Sequence, residues 1–288
     1  MTYCVAMKLD QGLVFLADTR TNAGVDQVST FRKLAVFERP GERLFALLSA
    51  GNLAITQSVR QIVYARSGAG SLWGAATAHE AARIVGEAVR EVHRRDAKAL
   101  KEAGIEFQCS FLFGGQIRDQ SMALFHIYAA GNFIEATPEN PYFQIGESKY
   151  GKPIIDRVVE PGTPLGEAAK CALISMDSTL RSNVSVGLPL DLLVYEAGAL
   201  RVTRFVHIDH DNQYMRMIRD TWGERLRQVF GEIPDPLWLD APAGLAGPRL
   251  ESEHSAPVFA PLPPDLAVEG ERAPAQWLAE GSPPPIPG

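Results

Sequence analysis

The sequence contains little cysteine and none of the short motifs that mark the common cofactor-dependent enzymes. Its three cysteines, Cys4, Cys109 and Cys171, are odd in number and form no Cys-x-x-Cys pair, which is typical of free thiols in a reducing compartment. The phosphate-binding loop, the Gly-x-Ser-x-Gly turn and the usual zinc spacings do not occur. We therefore expect no cofactor.

Long apolar runs and an excess of positive charge are also missing. No apolar stretch approaches the roughly 20 residues that a membrane helix needs, and no basic segment followed by an apolar one resembles a secretion signal. The net charge is −6, whereas nucleic-acid binding needs a basic face. We expect a soluble, cytoplasmic protein with no membrane or nucleic-acid partner.

One short segment, His207-Ile208-Asp209-His210-Asp211, is rich in side chains that ligate metals. It lies between a predicted strand and a predicted helix, where Asp209 or Asp211 can cap the helix. Because aspartate is common at helix N-termini, we favour capping and expect no metal site.

The composition predicts one folded domain and a tail. Hydrophobic residues make up 46% and charged residues 22% of the 288 residues, which suits a sizeable buried core. Eleven of the 20 prolines follow Ala241. The same segment contains two arginines and six acidic residues. We predict a folded domain over residues 1–240 and an acidic, Pro-rich, disordered tail over residues 241–288.

Apolar periodicity and turn signals predict blocks of strands and helices within the domain. A hairpin over residues 2–18 is followed by a polar loop over 19–30. Further strands are predicted at 31–37, 43–49, 107–113, 122–128, 190–195 and 200–206. Helices are predicted at 53–65, 77–100, 163–180 and 211–230. Strand blocks that alternate with helices indicate an α+β protein with helices layered on antiparallel sheets.

Thr2 is a candidate nucleophile. Removal of Met1, which precedes this small residue, would leave a free threonine. A hydroxyl and an α-amine on one residue form a nucleophile with its own base, and an α-amine titrates near 7.7–8.0, which suits a base at neutral pH. The following run, Tyr3–Leu9, has the composition of a strand that would hold this terminus.

Such a nucleophile needs a nearby cation, a carboxylate that holds the cation and a backbone N–H for the developing oxyanion. Lys33 is the candidate cation, Asp18 the carboxylate and Gly51, at a strand-to-helix junction, the N–H donor. Each residue also has a simpler interpretation. Asp18 could end a strand, Lys33 could be solvated and Gly51 could merely precede a helix.

The geometry of the first hairpin decides whether Thr2 and Asp18 meet. If Leu9 lies opposite Leu13, then Cys4 faces Asp18, and Thr2 and Asp18 lie on the same sheet face as diagonal neighbours. A shift of one residue in this register would place them on opposite faces.

Several segments resemble those of a known family. Thr2–Met7, Ala17–Asp26 and Thr30–Lys33 are similar to proteasome-type β-subunits, and most similar to the bacterial branch called Anbu, the ancestral β-subunit. Ser49-Ala50-Gly51-Asn52 resembles the oxyanion loop of that superfamily. The resemblance extends to about Phe230, which is most of the predicted domain.

The resemblance implies the four-layer αββα sandwich of the N-terminal-nucleophile hydrolases. It also implies Thr2 as nucleophile with its own amine as base, Lys33 paired with Asp18, and self-association into rings or spirals. This chain contains no ATPase motif, so any energy-dependent partner would be a separate protein.

The later part of the family pattern is altered. Eukaryotic and archaeal proteasome β-subunits carry a serine after a glycine in the third quarter and an Asp-x-x-Ser-Gly near the last helix, where this chain reads Ile145–Ser148 and Ser182–Gly187. Ser148 replaces the first serine with an offset, and Asn183 stands in place of the aspartate. Ser182-Asn183 looks more like the bacterial ATP-dependent protease subunit. We take Ser148, Ser182 and Asn183 as candidate support residues.

The sequence thus predicts an N-terminal threonine amidohydrolase that attacks an amide carbonyl, forms an acyl-enzyme and hydrolyses it. The leading version is a peptidase that acts on peptides or proteins within an oligomeric assembly. The altered support residues leave two alternatives open. One is a narrow-specificity amidase or peptide-modifying enzyme, and the other is a catalytically weak scaffold subunit.

Overall fold

A computed structural model of the chain describes residues 2–23 and 27–236. The chain divides into a unit that ends at Ile233 and a second unit that begins at Pro234. The tail predicted over residues 241–288 lies outside the described residues, so its boundary stays a prediction. No helix in the described ranges is long and apolar enough to cross a membrane.

The first unit contains twelve strands and five α-helices within its described residues. The strands are β1 (Tyr3–Leu9), β2 (Gly12–Asp18), β3 (Arg20–Ala23), β4 (Gln27–Thr30), β5 (Leu34–Arg39), β6 (Arg43–Gly51), β7 (Cys109–Ile117), β8 (Ala123–Ile127), β9 (Phe133–Glu135), β10 (Tyr142–Gly146), β11 (Leu190–Glu196) and β12 (Arg204–Ile208). The helices are α1 (Leu53–Ala65), α2 (Ala78–Glu102), α3 (Lys152–Val158), α4 (Leu165–Ser182) and α5 (Gln213–Glu232).

Two five-stranded antiparallel sheets form the centre of this unit. The first has the strand order β10-β1-β2-β11-β12 and the second the order β5-β6-β7-β8-β9, while β3 and β4 pair separately. Strands β1, β2 and β6 are almost wholly buried because apolar groups pack against both of their faces. Their sequences therefore read as continuous apolar runs instead of a strict alternation.

Three apolar clusters join these elements. One lies between the second sheet and helices α1 and α2. Another joins the two sheets through side chains such as Phe15 and Leu48. The last packs the opposite face of the first sheet against α3, α4 and α5 and includes the fully buried Met176 of α4. The predicted α+β class is confirmed.

The register predicted for the first hairpin is wrong by one residue. Leu9 lies opposite Gly12, and Cys4 lies opposite Ala17. By strand alternation, Asp18 therefore shares a sheet face with Tyr3 and not with Thr2. Gly12 is required at this turn, because a Cβ there would come within 1.9 Å of the Tyr195 carbonyl oxygen.

Some element boundaries also differ from the sequence predictions. Residues 31–33 precede β5, so Lys33 is not on the strand. The strand predicted at 107–113 begins at Cys109 and extends to Ile117 as β7, where a Cβ on Gly115 would approach the Leu44 carbonyl oxygen to 2.0 Å. Leu200, where a strand was predicted to start, has a left-handed φ of 47°, and β12 begins only at Arg204.

Other elements went unpredicted because their sequences are short or polar. The segment expected to be a loop over residues 19–30 contains β3 and β4, and strands β9 and β10 and helix α3 were missed. Asn212, not Asp209 or Asp211, caps α5 by accepting the Met215 N–H at 2.9 Å. The helix predicted from residue 163 begins at Leu165, after Pro164, without a side-chain cap. The Thr163 hydroxyl instead accepts the Glu160 N–H at 2.9 Å.

Candidate functional site

A buried ion pair lies at the end of β2. Asp18 is fully buried, and its Oδ1 lies 2.8 Å from Lys33 Nζ. The same oxygen accepts the backbone N–H of Tyr3 at 3.0 Å. Because the two donors share one acceptor, the Lys33 ammonium lies within two hydrogen-bond lengths of the backbone that follows Thr2. Lys33 Nζ also donates to the Arg20 carbonyl oxygen at 2.5 Å.

Opposing effects act on the pKa of the Asp18 carboxyl. Burial raises the pKa of its carboxyl above the usual range, and the Lys33 ammonium and the Tyr3 N–H oppose this shift. The Gly187 N–H adds a weaker favourable interaction, although Oδ2 makes no hydrogen bond of regular geometry among the described residues. The ionised carboxylate therefore depends on Lys33.

Thr2 is held by the neighbouring strand β10. Its carbonyl oxygen accepts the Glu147 N–H at 2.7 Å, which continues the β1–β10 ladder one residue beyond the Tyr3–Gly146 pair. Gly146 has a φ of 81°, and a Cβ there would come within 1.9 Å of the Thr2 oxygen. Only glycine fits this close approach, so the ladder fixes the backbone at Thr2.

Gly51 lies where β6 passes into α1. Its φ is 110°, and a Cβ would come within 2.4 Å of the Gln108 carbonyl oxygen, so a side chain is excluded. The next residue, Asn52, caps α1 by accepting the Ala54 N–H at 3.0 Å. A helix N-terminus therefore adjoins Gly51, and the helix dipole there favours negative charge.

A cleft of about 560 Å³ brings these elements together. Thr2, Gly51 and Gly146 line it, as do Arg20, Thr21, Ser29, Ala50, Asn52, Leu53 and Gln108. Asp18 and Lys33 are buried and stand outside this lining. A larger cavity of about 720 Å³ beside β5 and α1 contains none of the predicted site residues, so we take the smaller cleft as the candidate site.

The predicted support residues occupy different places. Asn183 Nδ2 donates to Glu147 Oε2 at 2.7 Å, which links Asn183 to the residue opposite Thr2. The described contacts of Ser148 are made by its backbone, whose carbonyl oxygen accepts the Lys152 N–H at 3.0 Å. Ser182 is the exposed last residue of α4.

Glu147 is a site residue that the sequence analysis missed. Its side chain is buried, and it accepts from Asn183 and lies 3.2 Å from Lys149 Nζ. Glu147 can be identified only when the pairing of β1 with β10 is known, because that register places Glu147 opposite Thr2. The displaced Gly146–Ser148 pattern was the signal in the sequence, since Glu147 directly follows the glycine.

The three cysteines offer no competing nucleophile. All are free and buried, and burial raises the thiol pKa of Cys171 to about 11 and of Cys109 to about 12. Burial also raises the pKa of Cys4, whose Sγ donates to the Ser49 carbonyl oxygen. Thiols held neutral in this way are unreactive. Within the described ranges, no cluster of three or more His, Cys, Asp or Glu side chains could hold a metal.

The fold and the site define an α+β protein related to proteasome β-subunits, with a threonine beside a buried aspartate–lysine pair. The structure of Anbu (ancestral beta-subunit) from Yersinia bercovieri is 52% identical, with a TM-score of 0.76 over 81% of this chain and 98% of that one. The chain belongs to the Anbu family.

Two further structures are similar. A Gly-1 mutant of Anbu from Hyphomicrobium sp. strain MC1 shares 50% identity, with a TM-score of 0.77 over 82% of this chain and 99% of that chain. A helical assembly of the Anbu complex from Pseudomonas aeruginosa shares 48% identity, with a TM-score of 0.77 over 81% and 98%. No protein-family model and no curated protein matches the chain.

Proposed function

We propose that this protein is an N-terminal threonine amidohydrolase, and most specifically a proteasome-like peptidase. The observation that carries the proposal is the single Asp18 oxygen shared by the Lys33 ammonium and the Tyr3 N–H. It places a buried cation beside the residue that would become the amino terminus. A cation held by a carboxylate is what a threonine nucleophile needs in order to develop negative charge.

In the proposed reaction, the Thr2 amine takes the proton from the Thr2 hydroxyl as that oxygen attacks a substrate amide carbonyl. The Gly51 N–H receives the developing oxyanion, and the adjoining N-terminus of α1 favours it further. The ammonium then gives its proton to the leaving amine, which leaves a threonyl ester. The same amine takes a proton from water as it attacks the ester, and the resulting ammonium returns that proton to the Thr2 oxygen as the acid is released.

The packing supports a finer fold assignment, the four-layer αββα sandwich of the N-terminal-nucleophile hydrolases. Helices cover the outer face of each sheet, and the two sheets meet through a common apolar cluster. In this assignment the cleft lies where β1 begins and where β6 and β10 end, so the strands hold Thr2, Gly51 and Gly146.

The proposal predicts that the mature chain starts at Thr2 and reacts with a peptide epoxyketone. We expect intact mass spectrometry to show loss of Met1 and one added inhibitor per subunit, because such inhibitors bond to both the hydroxyl and the amine of a terminal threonine. Peptide mapping of the adduct should place it on Thr2.

Two outcomes would count against this mechanism. Retention of Met1 would remove the proposed base, since its nitrogen would then be an amide. A folded protein that starts at Thr2 but remains unlabelled would favour the scaffold interpretation. Labelling combined with hydrolysis of only a few peptides from a broad panel would favour the narrow-specificity amidase.

We also propose that the protein self-associates, as the helical assembly of the Pseudomonas aeruginosa relative suggests. Helix α5 offers a surface for a second copy. Leu226, Val229 and Phe230 lie at i, i+3 and i+4 on α5, Ile233 directly follows the helix, and all four are exposed. We call this set the α5 apolar face. An exposed apolar stripe of this kind is typical of a protein–protein contact.

Charge placed on the α5 apolar face should weaken this assembly. Val229 and Phe230 are 55% and 79% exposed, so Val229→Glu/Phe230→Glu should leave the subunit folded while it lowers the mass measured by light scattering. Gln228→Glu adds a charge on the same helix and should leave the mass unchanged. A wild-type protein that scatters as a single subunit would contradict the self-association.

A further inference from the structure

A second cavity, of about 230 Å³, lies against α4, α5 and the segment before β11. Three arginines line it, Arg20, Arg181 and Arg219, together with His210, whereas Asp177 is the one acidic side chain in its described lining. We call it the arginine pocket. Its volume is below the roughly 300–1,000 Å³ of pockets that enclose whole ligands, so it suits a small charged group.

Asp177 fixes two of the arginines. It is buried on α4, and its Oδ2 accepts from Arg181 Nε at 3.1 Å while its Oδ1 lies 3.5 Å from Arg219 Nε. Arg181 Nη2 also donates to the Arg219 carbonyl oxygen at 2.6 Å. One carboxylate compensates one of the three guanidinium charges, so the pocket keeps a positive excess.

Arg20 is fixed from the other side. Its Nη1 donates to the Val184 carbonyl oxygen at 2.9 Å, and its guanidinium packs against Gly187, where a Cβ would come within 2.1 Å of it. The absence of a side chain at Gly187 therefore makes room for this guanidinium. Arg20 also lines the cleft beside Thr2, so the two cavities adjoin at this residue.

The guanidinium groups retain donors for a ligand. Arg181 and Arg219 are 56% and 41% exposed. Their bonds to Asp177 use Nε, and Arg181 Nη2 bonds the Arg219 carbonyl oxygen. Arg181 Nη1 and the terminal nitrogens of Arg219 make no hydrogen bond among the described residues. Planar guanidinium groups bind carboxylate and phosphate oxygens with paired, charge-assisted hydrogen bonds. We propose that the arginine pocket binds a carboxylate or phosphate group. This group comes either from a free anion or from an acidic peptide whose backbone occupies the cleft.

Titration with inorganic phosphate tests the site directly, and this arm does not depend on the proposed function. We expect saturable binding with one phosphate per subunit, measured by calorimetry at low ionic strength, where charge screening is weak. Arg20→Gln should raise the Kd at least about tenfold, because it removes a charge-assisted contact. Asp177→Asn/Arg181→Gln/Arg219→Gln should abolish binding without leaving a buried carboxylate unpaired.

Arg225→Gln/Arg227→Gln is the matched control, since it removes two arginines from α5 that do not line the pocket. It should change the Kd less than about twofold. Absence of saturable phosphate binding, or equal weakening by the control and by Arg20→Gln, would overturn the proposal. The folded state of Arg20→Gln is checked by its unfolding midpoint, because Arg20 contacts the Val184 carbonyl oxygen.

Epoxyketones that differ only in the side chain beside the reactive group distinguish the two sources, and this arm rests on the proposed function. If the group belongs to an acidic peptide, the glutamate compound should inactivate at least about fivefold faster than the glutamine one, and Arg20→Gln should remove this preference. Phosphate binding with equal inactivation rates would assign the pocket to a free anion. If no epoxyketone reacts, the proposed function fails while the phosphate titration still decides the pocket.

Discussion

Thr2→Ala should reduce peptide hydrolysis at least about 10³-fold, because it removes the attacking oxygen and keeps the amine. The backbone contacts of Thr2 with Glu147 and Gly146 do not involve its side chain, so the variant should fold and assemble like the wild type. The measurements are the rate of cleavage across a fluorogenic peptide panel, the extent of epoxyketone labelling, and the mass by light scattering.

Two further variants make this result specific. Thr2→Ser keeps both hydroxyl and amine and loses the β-methyl group that restricts χ1, so it should keep part of the activity. Thr137→Ala removes an exposed threonine outside the cleft and should behave like the wild type. Cleavage by Thr2→Ala at the wild-type rate would place the chemistry at another residue.

Local signals in the sequence were sufficient for most helices. The start of α2 is an example, because Thr77 accepts the Glu80 N–H at 3.1 Å and Glu80 reaches back to the Ala76 N–H at 2.7 Å. These contacts join residues within one turn, so spacing alone predicts them. The α+β class followed from the same reasoning, since the order of strand and helix blocks is read along the chain.

Register and edge strands were harder, because they depend on contacts between distant residues. The first hairpin was placed one residue out of register, since Gly12 packs against the Tyr195 carbonyl oxygen of β11. Tyr195 lies on β11, a strand outside the hairpin, so the hairpin sequence alone does not reveal this contact. Strand β10, which pairs with β1, is short and was missed for the same reason.

For the candidate site, too, the sequence indicated the residues but not their arrangement. Asp18, Lys33 and Gly51 follow one another in the first quarter of the chain, and their residue types pointed to them. Their relative geometry did not follow from the sequence. Asp18 accepts the Tyr3 N–H, whereas the predicted register placed the side chains of Asp18 and Thr2 on the same face of the sheet. Glu147 could not be found without β10, because it acquires its position opposite Thr2 only in the folded sheet.

Replacing one partner of the Asp18–Lys33 pair should lower the free energy of unfolding more than replacing both partners. Lys33 is 5% exposed at its side chain, and Lys33→Met leaves the buried Asp18 carboxylate without its cation, so at neutral pH it should lower the free energy of unfolding by about 3–5 kcal/mol. Asp18→Asn should cost less than Lys33→Met, because the raised pKa of Asp18 means that the fold favours a neutral side chain at this position over an ionised one. Asp18→Asn/Lys33→Met should lose less than either single variant, because the amide oxygen can still accept the Tyr3 N–H. Urea unfolding at one fixed subunit concentration measures all three.

Activity and pH separate the stabilising role of this pair from its proposed role in the reaction. The raised pKa of Asp18 means that the carboxyl favours folding below its unfolded pKa of about 3.9. This contribution is lost as the pH rises through the folded-state pKa. The double variant should therefore gain stability relative to the wild type as the pH rises from about 4. It should nevertheless remain inactive at neutral pH, because it lacks the cation beside Thr2. A double variant that recovered both stability and hydrolysis would restrict Lys33 to a structural role.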